Sequence, residues 1–95
     1  MIRKIVCAAE KFTFLNNVHP PIIICGIRHG DDIISFTLGA IDKRLRNKIV
    51  NVEQGFVDSL GNFLNRHEAL VVAAVADQLV SKTQPVDRLF SEDLW

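Results

Sequence analysis

Four short stretches of the chain carry side chains able to grip an anion or a nucleic base. Arg28-His29 follows an apolar run and precedes Asp31-Asp32. That acidic pair suits a helix start, where carboxylates accept free backbone N–H groups. A strand end feeding a helix N-terminus leaves N–H donors pointing outward, and such donors bind anions. Arg28 adds a planar fork that matches phosphate; the plain alternative is a surface basic pair. Gln54-Gly55-Phe56 sets an aromatic beside a glycine on a strand. Its ring either offers a face to a base, worth about 1–3 kcal/mol per stacked base, or belongs to the core. Asn65-Arg66-His67-Glu68 has the spacing of a capping box. Capping accounts for Asn65 and Glu68, and Arg66 adds a cation at a second anion-friendly helix start. Asp87-Arg88 precedes an apolar tail, and a solvated ion pair is its plain reading.

Catalysis needs a nucleophile, base or metal held in a defined geometry. His29, His67, Asp31 and Glu68 are the only convincing candidates, and no HExxH, GxSxG or P-loop motif is present. The protein is therefore not expected to be an enzyme. No metal or cofactor is expected either. Cys7 and Cys25 lie in apolar runs, without the CxxC or Cys/His spacing of zinc sites. They read as a pair of buried, reduced thiols.

These residues must be positioned by a small scaffold. Ninety-five residues make one domain, 1–95, because cores rarely divide below roughly 150 residues. Apolar residues form 48% of the chain and charged residues 23%, which rules out wholesale disorder. Eleven Lys+Arg balance eleven Asp+Glu. A neutral balance argues against bulk binding to duplex nucleic acid, which needs a basic face. No apolar stretch approaches the roughly 20 residues of a membrane span. The opening residues resemble a signal peptide until Glu10 and Lys11 cut the apolar run short, so a cytoplasmic protein is expected.

Residues 2–9 are rich in β-branched side chains and read as a strand, and Phe12 and Phe14 alternate with Lys11 and Thr13. Pro20-Pro21 marks a loop. Residues 22–25 read as a short strand covered on both faces, ended by Gly26. Ile34, Leu38, Ile41 and Leu45 form one amphipathic helical stripe, with Lys43, Arg44, Arg46 and Lys48 at its C-terminal end. Residues 50–57 read as a strand with a bulge at Gly55, followed by a tight turn at 60–62 and a short returning strand at Phe63-Leu64. A second helix is expected from about 66 to 80. Residues 69–76 of it are apolar without a break, and a helix apolar all round must be covered all round. A second subunit would supply part of that cover. The end, with Leu89, Phe90, Leu94 and Trp95, is expected to dock on the body or on a neighbour. The fold class is α+β: a small antiparallel sheet packed with two main helices, and oligomeric.

Four segments in order carry a family resemblance: residues 3–9; residues 24–29; residues 54–69, reading QGFVDSLGNFLNRHEA; and residues 89–94, reading LFSEDL. The series resembles small phage-encoded proteins of the type-one Thoeris anti-defence family. The resemblance spans most of the chain and is least distinctive between residues 29 and 53. Pro20-Pro21 departs from the family's pattern. The resemblance implies a sponge that binds cyclic ADP-ribose isomers made by bacterial TIR-domain enzymes and leaves them uncleaved. Some relatives also hold cyclic oligonucleotides of CBASS-type immunity at a separate site. An antiparallel sheet with helices, assembled as a dimer or hexamer, is implied too. Carried over by motif position, Phe56 stacks on the adenine. Asn65 and Arg66 bond ribose or phosphate, and Arg28 with His29 neutralises the pyrophosphate. Arg88 closes over the base from the tail.

The leading expectation is thus sequestration of a cyclic nucleotide signal. Two alternatives come from other classes: an inhibitor whose apolar tail docks into a host protein, and a small nucleotide-processing enzyme. Intact recovery of a bound messenger separates the first from the third, and no retention leaves the second.

Overall fold

The β-branched, apolar run from Ile5 and the alternation of Lys11 to Phe14 belong to one continuous strand, β1 (Ile5–Phe14). The two segments expected at its ends are therefore continuous. The computed structural model describes residues 3–80, 88–90 and 93–94. Expectations resting on Ile2, Pro85, Asp87 and Trp95 lie outside the described residues.

After β1, a single 3-10 turn at Leu15–Asn17 leads to β2 (Ile22–Gly26). The helices α1 (Asp32–Gly39) and α2 (Lys43–Arg46) follow. Then come β3 (Ile49–Asp58), β4 (Phe63–Asn65) and α3 (Arg66–Val75). The strands form one antiparallel sheet in the order β2-β1-β3-β4.

Strand parity places Ala8, Glu10, Phe12 and Phe14 on one face of β1. Ala8 is paired with Phe56, and Phe56 with Leu64. These residues, with Ile5, pack against Ala69, Val72 and Ala73 of α3 and against Leu89 and Leu94 of the tail. Farther along the same face, Phe12 and Phe14 meet Ile24 and Ile34, bordered by Leu38, Ile41 and Leu45. The helices thus cover one face in two apolar clusters. Glu10 stands between the clusters, only 8% exposed.

Several expectations change. The stripe Ile34, Leu38, Ile41 and Leu45 does face the core, but on two helices rather than one. Asp42 breaks the continuity: its carboxylate accepts from Arg44 N and starts a new turn. The basic residues Lys43, Arg44 and Arg46 therefore lie on α2, not at the end of α1. The second main helix stops at Val75 instead of residue 80. Asp77 takes the left-handed conformation (φ 57°), Asp77 N donates to Ala74 O, and Gln78 N donates to Ala73 O. This is a Schellman stop. Gln78 then brackets Ile5, accepting from its N–H at 2.8 Å and donating to its carbonyl at 2.9 Å.

Within the single chain, one side of α3 packs on the sheet and another stays open. Val71 and Val75 are exposed and, with Arg3, line a hollow of about 290 Å³. β2 is covered on one face only, leaving Ile23 and Cys25 exposed, because among the described residues no element lies over the second face there. Cys7 is half-buried. The thiols are free, but not buried as expected. Sheet irregularities fall between Ile5 and Cys7 and between Thr13 and Phe14, not at Gly55. Gly55 instead meets a different demand: a Cβ there would run into the carbonyl of Leu64 and the ring of Phe63. Leu89 and Leu94 dock on the body of the chain.

Candidate functional site

The loop from Ile27 to Asp31 is shaped by one carboxylate. Asp31 accepts from Ile27 N at 2.8 Å, Arg28 N at 3.1 Å and Ile34 N at 3.0 Å. It caps α1 and folds the loop back over β2. A Cβ on Gly26 would meet Asp31 Oδ1 at 2.6 Å, so the close approach requires glycine. The N–H bonds from Ile34 and Arg28 hold the Asp31 carboxyl below the usual carboxylate range. Gly30 N donates to Glu10 Oε2 at 2.7 Å. The anion-friendly donors expected at this strand-to-helix junction are thus taken by the protein's own carboxylates.

That loop delivers His29 to the polar seam between the two cores. His29 Nε2 donates to Gly55 O at 2.6 Å, since a carbonyl can only accept. The ring stands edge-on to Phe56, with centroids 5.0 Å apart. Arg66, the first residue of α3, approaches from the other side. Its Nη2 donates to Gln54 Oε1 at 2.6 Å and, in a long bond of 3.4 Å, to His29 Nδ1. Nη1 donates to Leu89 O at 2.7 Å, and the guanidinium lies 4.8 Å from the Phe90 centroid. Leu89 N returns a bond to Arg66 O at 2.9 Å. An imidazole, a guanidinium, an amide and a partly exposed aromatic ring therefore meet at one place. They come from four regions remote in sequence.

α3 begins here because Asn65 and Glu68 form the capping box that their spacing predicts. Asn65 Oδ1 accepts from Glu68 N at 2.8 Å, and Glu68 Oε1 accepts from Asn65 N at 2.9 Å. Asn65 is half-buried and its side-chain oxygen is engaged in the cap.

His29 and Arg66 are brought together, with Phe56 beneath them. Phe56 is 0% exposed and belongs to the core, so its ring presents no face to a ligand. Arg28 is half-buried on the loop beside His29, and Arg88 is exposed next to Leu89. His67 is exposed on the first turn of α3. Glu10, Phe90 and the Leu89 carbonyl were not anticipated. Glu10 had a signal: it is a carboxylate at an apolar parity position, between Ala8 and Phe12. Phe90 and Leu89 had none, since nothing local ties the tail to Arg66.

Among the described residues no group of three or more His, Cys, Asp or Glu could hold a metal ion. No helix among them is long and apolar enough to cross a membrane.

A family model described as phage T4 y16D protein matches residues 4–95. The chain belongs to the phage T4 y16D family. The matched span contains every residue of the candidate site. Neither a curated protein nor a solved structure matches it.

Proposed function

We propose that this y16D-family protein is a phage anti-defence sponge that binds a cyclic ADP-ribose isomer and releases it unchanged. The observation that carries the reading is the meeting of His29, Arg66, Gln54 and Phe90 on the polar seam. A doubly phosphorylated purine needs a few cations and an aromatic face, not a basic protein. Membership in a phage family supports the setting. So does the Thoeris resemblance of the segments that build the seam.

In this reading Arg28 and Arg88, flanking the seam, meet the phosphates. Arg66 orients Phe90, whose partly exposed ring takes the base, while buried Phe56 holds His29 in place. Asn65 keeps the α3 start fixed beneath the ribose. The ligand is held, not cleaved, in the bacterial cytoplasm. A second subunit lies against the exposed Val71 and Val75 side of α3, giving a dimer or hexamer. Cyclic oligonucleotides of CBASS-type signalling are a further ligand class, at a separate site.

To silence a signal, a sponge must outcompete the effector; a nanomolar constant corresponds to about −12 kcal/mol. Calorimetry with a panel of cyclic ADP-ribose isomers tests the reading. The expected result is saturable binding of at least one isomer, weakened more than tenfold by Arg28→Ala. Absence of binding by a folded sample overturns it. Light scattering should give a mass at least twice 10.7 kDa; a clean monomer contradicts the assembly.

A further inference from the structure

The sheet face that no helix covers carries both cysteines. Ala9 is paired with Cys25, so Cys7, two residues earlier on β1, is the diagonal neighbour of Cys25 on that face. The two thiols lie on that same face. They line one cavity of about 330 Å³ whose other walls are Val6, Gly26, Ile27 and Ile33. Cys25 is exposed, so the pair is reachable from solvent.

We propose that Cys7 and Cys25 form a two-sulfur site for a soft monovalent d¹⁰ cation of the Cu(I) type. Among the described residues no third ligating side chain joins the two sulfurs, so they do not make a zinc site, which needs four ligands or three and a water. Thiolates select Cu(I) by softness, and this ion accepts two-coordination. Diagonal strand neighbours stand about 7–8 Å apart, beyond the usual disulfide span, whereas two sulfurs joined through a metal span farther.

Binding breaks two S–H bonds and forms two S–Cu bonds. Two protons leave to solvent and no electron is transferred.

The test is an anaerobic titration of the full chain with Cu(I), with bathocuproine disulfonate as the competing chelator. One Cu(I) per chain is expected, with thiolate-to-copper absorption in the near ultraviolet. Cys7→Ser and Cys25→Ser should each weaken retention at least a hundredfold. Cys25 is exposed, so its serine variant keeps the fold, checked by circular dichroism, even if the other does not. The proposal is overturned if the chelator retains the copper. It is equally overturned if the folded Cys25→Ser protein binds as tightly as the parent, or if the ratio departs from one per chain.

Discussion

Gly55 sits where a side chain has no room, because the Leu64 carbonyl of the paired strand and the Phe63 ring occupy the space. A backbone carbonyl in a ladder cannot step aside as a side-chain tip can. Gly55→Ala should therefore cost about 1–3 kcal/mol, as overpacked sites do, read as a lower midpoint in urea. An unchanged midpoint would mean that β4 gives way freely. Asp31 illustrates an acid limit. Its carboxyl titrates below the ordinary value of 3.8 because the N–H groups of Ile34 and Arg28 favour the charged form. A depressed folded value gives stability that is present above the unfolded value and lost as pH falls through the folded one. Asp31→Asn should lower the melting temperature at pH 7 and flatten its decline below pH 4. A decline as steep as the parent's would show that other carboxylates carry it. At this scale the Asn65–Glu68 box was legible because its bonds join residues three apart. For Phe56 the sequence left core and ligand face both open, and only the register with Ala8 and Leu64 places it inside.

The elements show the same division between local and distant causes. The apolar stripe of Ile34, Leu38, Ile41 and Leu45 was readable as a face. The break within it was not, because Asp42 starts α2 through its own backbone neighbours rather than through periodicity. α3 was readable at its start and misread at its stop. Asp77 in the left-handed region ends it, and asparagine and aspartate visit that region more readily than most residues. The start is testable. Asn65→Ala removes the acceptor for Glu68 N and should cost about 1 kcal/mol, measured by chemical denaturation. No change would mean that Arg66 and the tail hold α3 in place without the cap.

Across the whole molecule, two apolar clusters share one sheet face, and a polar seam of Glu10, Gln54, His29 and Arg66 lies between them. The α+β class with an antiparallel sheet followed from strand and helix patterns in the chain. That every helix packs on one face, leaving Ile23 and Cys25 uncovered, depends on topology and had no local signature. The tail belongs to the first cluster through Leu89, which is fully buried. Leu89→Ala should destabilise the entire fold by about 2–5 kcal/mol. A smaller loss, with release of residues 88–90 alone, would make the tail a separable strap. Both Arg66 and Phe90 would then lose their mutual anchor. Binding is the property that the seam exists to support in the function proposed for it. The decisive measurement is to load the protein with a cyclic ADP-ribose isomer, wash away excess, denature it by heat and analyse what is released. Recovery of the unaltered isomer in proportion to protein is the predicted result. An empty filtrate or a hydrolysed product would contradict sequestration.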